Sequence, residues 1–262
     1  MISELRSWVR QQRKDGVERV VLDRDYALSE EELSALKAAA APAATTEISE
    51  GEADMTGAAT GKVDDARSEI LRLHPDWEGS ELVDLAQEID ACRACGLSAT
   101  RGCSVPGAGN PRAKLVFVGE APGAEEDRQG VPFVGRAGQL LDKILLAIDL
   151  KREDVHILNI LKCRPPENRN PAAPEIEACR PFLERQIDII QPGILVALGL
   201  FSSQWLTGKK LSLTKLRAGG PYLYRDIPVY ATYHPAALLR NPNWKRPAWD
   251  DFKLIREEYL KL

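Results

Sequence analysis

The 262-residue chain contains no apolar run approaching the roughly 20 residues needed to cross a bilayer, so no membrane-spanning helix is expected of it. Its opening, "MISELRSWVRQQRK", has an amphipathic helical pattern with charges throughout. It therefore lacks the apolar core of a signal peptide, and a cytoplasmic place is expected. Cysteine is scarce and odd in number, at five residues. That argues against a disulfide scaffold and directs attention to metal binding or catalysis. Histidine is scarcer still, with three residues. The Gly-rich turn at 119–123 has no lysine opening a helix, so it is not a phosphate-binding loop.

Net charge is also small, at −4, but it averages two unlike parts. Residues 1–90 hold 10 basic and 21 acidic side chains, a net of −11, and the remainder carries +7. A basic body with an acidic extension is compatible with DNA or RNA binding.

Residues 1–40 read as mostly helical, with an N-cap signal at Ser29. Residues 41–66 are small and polar without apolar period, the composition of a flexible linker. Helical patterning returns over 67–90 and leads into "CRAC". From residue 91 strand-like and helical runs alternate. "KLVFV" (114–118) precedes a helix over 137–148, and "VHILNI" (155–160) precedes one over 174–190. "GILVALG" (193–199) precedes "LFSSQWL", "PVYATY" (228–233) is the fourth strand, and a last helix covers 247–261. This alternation predicts an α/β fold, a four-stranded parallel sheet flanked by helices. Ligands of such sheets bind beyond the carboxyl ends of the strands. Those ends carry Gly119 and Glu120, then Asn159, then Gly199, then His234 with Pro235.

Cys92 and Cys95 form C-x2-C, Cys163 and Cys179 have 15 residues between them, and Cys103 stands apart in a loop. Four thiolates suit either zinc or an iron–sulfur cluster.

Four segments in order, "CRAC", "VFVGEAPGAEEDRQGVPFVGRAGQLLD", "LNILKCRPPENRNP" and "TYHPAALLR", resemble the family 4, iron–sulfur class of uracil-DNA glycosylases over residues 88–260. The resemblance implies a uracil-DNA glycosylase domain over 91–262 that flips uracil out of DNA and hydrolyses its glycosidic bond. It also implies a [4Fe-4S] cluster held by Cys92, Cys95, Cys163 and Cys179, with Cys103 as the spare. Phe133 would supply a flat face for the base. The Asn159 amide would donate to uracil O4 and accept from N3–H, a pattern cytosine cannot match. An N–H of His234 would meet the charge that grows on O2 as the bond breaks, which leaves His74 and His156 to structure. Ala121 stands where family 1 enzymes place a water-positioning aspartate. Glu120 is therefore a candidate for orienting water or holding the deoxyribose, beside a purely structural role.

Glu126 matches a position near uracil C5, where a methyl group would clash, while Glu125 and Asp127 read as loop acids. Leu238 or Leu239 would wedge into the gap left by the flipped nucleotide. Arg240, Lys245 and Arg246 would contact phosphates. The expected partner is uracil-containing DNA, met by a nucleoid-associated monomer. The acidic extension is a candidate docking segment for another repair or replication protein. A related covalent class carries a "KRRIH"-like insertion, but here "CRPPENRNPAAPEIEAC" has no histidine. The alternative of a different kind is a non-catalytic Fe–S nucleic-acid-binding module, and Phe133, Asn159 and His234 argue against it.

Overall fold

A computed structural model describes residues 58–262, with side chains from residue 65. The expected N-terminal helices over 1–40, the Ser29 cap and most of the linker lie outside the described residues. The linker expectation is corrected at its end, because helix α1 already begins at Ala58 and runs to Leu73.

Helix α2 (Glu81–Ala91) starts where the Ser80 hydroxyl accepts from the Leu82 amide at 3.2 Å. Glu81 and Asp84 complement the helix dipole in its first turn. Leu82, Leu85, Ala86 and Ile89 recur at helical spacing and are buried. The sheet then takes its strands in the order β1-β3-β2-β4-β6-β5. They are β1 (Ala108–Gly109), β2 (Leu115–Gly119), β3 (His156–Asn159), β4 (Ile194–Leu198), β5 (Tyr222–Tyr224) and β6 (Ile227–Thr232). Helices α3 (Ala124–Gln129) and α4 (Arg136–Ala147) link β2 to β3, and α5 (Ala173–Ile190) links β3 to β4. Helices α6 (Leu200–Thr207) and α7 (Leu213–Gly219) precede β5, and α8 (Pro235–Arg240) and α9 (Lys245–Tyr259) follow β6.

The four strands read from the sequence are the parallel centre, but the sheet is six-stranded and mixed. Strands β1 and β5 pair antiparallel on its two edges. Both are too short, at two and three residues, to show a period of two. The β5–β6 hairpin turns through Arg225 and Asp226, with Arg225 at φ 53°, and offers no Asn-Gly signal.

The central strands are continuous apolar runs because helices cover both faces. Val116 and Val118 face a core shared with Leu82 and Val83 of α2 and Leu183 and Ile187 of α5. Leu115 and Phe117 face the opposite core, with Leu141 and Leu145 of α4 and Phe252 and Ile255 of α9. After β2 the chain moves to one side of the sheet, and after β4 to the other. The crevice at this switch point opens beyond Gly119 and Gly199. Among the described residues no helix is long and apolar enough to cross a membrane.

Candidate active site

A pocket of about 630 Å³ lies at that crevice, and Glu120, Ala121, Glu126, Phe133, Asn159 and His234 all line it. Its floor depends on Gly119, which is paired in register with Asn159. A Cβ there would stand 2.3 Å from Asn159 Oδ1 and 2.8 Å from the Phe133 ring. The missing side chain is what lets an amide and an aromatic face meet at one strand end.

Asn159 is buried, and its Oδ1 has no hydrogen-bond partner within the protein. An orphaned buried acceptor is costly, and here it belongs to a residue lining the pocket. Phe133 is held with φ at 54°, a conformation that bulky side chains rarely adopt. Its loop is pinned on two sides. Arg152 donates to the Phe133 carbonyl at 2.9 Å and to the Pro132 carbonyl, and pairs with Asp142 at 2.9 Å. Glu126 accepts from the Val134 and Gly135 amides through Oε1, at 2.9 and 2.8 Å. Its Oε2 accepts from Gly123 at 3.1 Å. The Glu126 carboxylate, on helix α3, thus ties the helix N-terminus to the backbone just after Phe133 and shapes the wall that carries that ring. Glu125 pairs with Arg128 at 2.5 Å, and Asp127 accepts from the Gly102 amide at 3.0 Å; both stand in the first turn of helix α3, not in a loop as expected.

His234 caps α8, its Nδ1 accepting from the Ala236 amide at 3.1 Å. That bond uses the lone pair of Nδ1, so the ring proton sits on Nε2. Burial, with the charge of Arg240 adding to it, lowers the imidazole pKa to about 4. The ring is therefore a neutral N–H donor at pH 7. It lies 5.3 Å from the Phe133 ring, centroid to centroid. Close by, burial raises the Glu120 carboxyl above its ordinary value and the Arg240 charge opposes that rise.

The two wedge candidates separate. Leu238 is 2% exposed and packs with Tyr233 and Ala248. It is a core residue, a correction that follows from the phase of the one-and-a-half-turn helix α8. Leu239 faces outward, 38% exposed. Arg240 lines the pocket, and Arg240, Lys245 and Arg246 are all exposed.

Four of the five cysteines surround a second, small cavity. Cys92 and Cys95 come from the turn after α2, Cys163 from the segment after β3 and Cys179 from α5. The cavity that they line has a volume of about 10 Å³. Among the described residues no three or more His, Cys, Asp or Glu converge as a site for one ion. The four thiols line one cavity, and a set of four thiols is chemically suited to holding a metal group as thiolates. Cys103 is exposed and lies outside the cavity. Burial pushes the Cys179 thiol up to about 11, so a bound cationic group is what would hold it as thiolate.

Two basic side chains not anticipated from the sequence stand beside the thiols, and burial lowers the Lys162 pKa to about 7. Arg101 donates to Cys163 Sγ at 3.1 Å and to the Ile89 carbonyl at 3.2 Å. Lys162, 1% exposed, lines the cavity and donates to the Asn159 carbonyl at 2.7 Å. It ties the cysteine cavity to the strand end that carries the orphaned amide. Its one sequence signal was a lysine within the apolar run "NILKC".

Fold and site together define an α/β protein with a pocket at the carboxyl edge of its sheet. The pocket holds an aromatic face, an unpaired amide acceptor and a neutral imidazole donor, with a four-thiol cavity behind it. Comparison with known proteins narrows this class. The family model described as the uracil DNA glycosylase superfamily matches residues 106–253. A type-4 uracil-DNA glycosylase of Sulfurisphaera tokodaii is 47% identical over 185 residues, covering 67% of this chain and 84% of that protein. One from Archaeoglobus fulgidus is 45% identical over 183 residues, covering 67% and 92% respectively. One from Thermotoga maritima is 47% identical over 163 residues, covering 62% and 85%. The chain belongs to the uracil DNA glycosylase superfamily.

Proposed function

We propose that the chain is a DNA-repair glycosylase of the type-4 kind that excises uracil from DNA and leaves an abasic site. The observation that carries this reading is the partnerless Asn159 Oδ1 beside Phe133 and the Nε2–H of His234. Uracil stacks on Phe133, and its N3–H donates to Asn159 Oδ1 while O4 accepts from the same amide. Cytosine has no N3 proton and carries an amino group at position 4, so it would leave Oδ1 unpaired, the costlier arrangement. The glycosidic bond lengthens, negative charge collects on uracil O2, and His234 donates to it. Ala121 packs against the base, and Glu120 orients the attacking water or the deoxyribose. Leu239 fills the vacated stack, and Arg240, Lys245 and Arg246 hold phosphates. Incubating the protein with oligonucleotides containing a single uracil, followed by alkali, tests the reading. Strand breaks are expected at uracil and not at cytosine or thymine, and intact uracil strands would refute it.

Cys92, Cys95, Cys163 and Cys179 would hold a [4Fe-4S] cluster. When bound, the cluster supplies four iron–thiolate bonds that cross-link the turn after α2, the segment after β3 and helix α5. The protein should then be brown, absorbing near about 400 nm. Alanine at any one of these four positions should remove colour and iron, whereas Cys103→Ala should keep both. Elemental analysis finding zinc without iron would overturn the assignment.

The glycosylase domain is assigned to 91–262, after the helical lead-in of 67–90, with the acidic residues before it as a regulatory or docking segment. Residues 1–66 carry a net charge of −6, so removing them takes the chain from −4 to +2. An anionic segment competes with phosphate for the same lysines and arginines. Screening acts over about 10 Å at 0.1 M salt. Truncation is therefore expected to raise DNA affinity, more at 50 than at 200 mM salt (about the range over which phosphate contacts weaken). Weaker binding after truncation would assign these residues to the DNA-binding surface instead.

A further inference from the structure

Trp244 lines the mouth of the same pocket and keeps 40% of its surface exposed. Its ring is not loose. It stacks on Tyr233 with centroids 5.1 Å apart and planes 14° from parallel. Tyr233 is in turn covered by the Arg217 guanidinium, 4.3 Å from its centroid, which also donates to the Tyr233 hydroxyl at 3.1 Å. Arg217 is anchored by Asp251 at 2.7 and 2.8 Å, and Asp251 accepts from Thr232 at 2.6 Å. The stack is thereby fastened to the end of β6, two residues before His234. Arg240, Lys245 and Arg246 flank it in sequence and are exposed. Trp249 offers a contrast, because it is equally exposed, at 38%, but does not line the pocket.

We infer that Trp244 is a stacking platform for the nucleobase next to the extracted uracil on the same strand. The inference rests on the uracil-excision reading and extends it to a subsite for the neighbouring nucleotide. A base has an unsatisfied π-face once its neighbour has left the stack. A rigid, pre-stacked indole at the pocket mouth offers that face a partner without sequence preference, because every base has one. The cationic side chains beside it suit the phosphates on either side of such a base. The platform needs no second strand, so it would serve uracil in single-stranded DNA as well as in a duplex.

The test uses the full-length protein and single-stranded oligonucleotides with one uracil, whose 5′ or 3′ neighbour is either a normal nucleotide or an abasic analogue. Removing the neighbouring base on one side is expected to lower wild-type kcat/KM by about 5- to 150-fold, the usual worth of one base–aromatic stack. Removing it on the other side should have little effect. Trp244→Ala should show a comparable loss on the normal oligonucleotide and no further loss when that neighbour is abasic. Trp244→Phe should recover most of the activity, and Trp249→Ala should match wild type. If Trp244→Ala retains wild-type activity, or stays as sensitive to the abasic neighbour as wild type, the platform is refuted. If thermal melting shows that Trp244→Ala is unfolded, the wild-type arm decides alone. Indifference to an abasic neighbour on both sides refutes the platform, and one-sided sensitivity supports it. A wild-type protein that leaves every uracil in place would refute the excision reading itself, an outcome distinct from normal excision with no role for Trp244.

Discussion

His234→Ala is expected to lower the single-turnover rate of uracil excision by about 10²–10³-fold, the usual loss for one transition-state donor, with DNA affinity nearly unchanged. The donor acts only on charge that develops as the bond breaks, so its removal falls on the chemical step and not on binding. The ring is poised for this by two local features. The Ala236 amide occupies Nδ1 and leaves the proton on Nε2, and burial holds the pKa at about 4. The ring is therefore already neutral at pH 7. From pH 8 down to about 5 the excision rate should show no limb near 6.5, where an unperturbed imidazole titrates. Rapid-quench measurements across that range test both points. Full activity in the alanine variant, or a limb near 6.5 that the variant abolishes, would remove His234 from the donor role.

Acid is expected to unfold the protein more readily than its overall charge suggests. Besides His234, whose pKa is lowered in the same way, the cause is a buried histidine pair outside the active site. His156 is fully buried and His74 is 5% exposed, and both stack with Trp77, at 5.5 and 4.2 Å between centroids. Burial lowers each pKa to about 4. His156 Nδ1 donates to the Asn110 carbonyl at 2.9 Å, and its Nε2 has no partner in the protein.

The unfolded chain takes up protons at these sites near about pH 6.5, the folded chain only near pH 4. Between the two values the unfolded state binds more protons, so stability is complete above about 6.5 and falls as the pH drops toward 4. By pH 5 each histidine should contribute a loss of about 2 kcal/mol. Urea unfolding at pH 7.5 and 5.0 measures the slope. His156→Asn retains a donor toward Asn110 and removes the titration, so its stability should change about 2 kcal/mol less between those pH values. An unchanged slope in the variant would show that His156 does not drive the acid sensitivity.

Several features depend on local sequence alone, and these the chain displayed. Runs such as "KLVFV" and "GILVALG", short, rich in β-branched or aromatic residues and bounded by Gly or Pro, read as strands buried on both faces, and their alternation with helical runs pointed to the parallel centre of the sheet. Once that was known, the residues after each strand had to share one edge. This is why Glu120, Asn159 and His234 could be named together although 114 positions separate the first from the last. Other features depended on which groups packing brings together. The edge strands β1 and β5 exist because the exposed sides of β3 and β6 offer unpaired backbone, not because two or three residues carry a strand pattern. Leu238 and Leu239 are identical in kind, and only the rotation of α8 against Tyr233 and Ala248 buries one and exposes the other. Glu126 lines the pocket as the sequence suggests, but that its two oxygens accept from the Gly123, Val134 and Gly135 amides is decided only by the fold. Lys162, Trp244 and the tautomer of His234 are of the same kind. Composition and period describe how each segment buries its own surface, whereas hydrogen-bond partners and ring contacts come from segments distant in the chain, and only the closed tertiary structure sets them side by side.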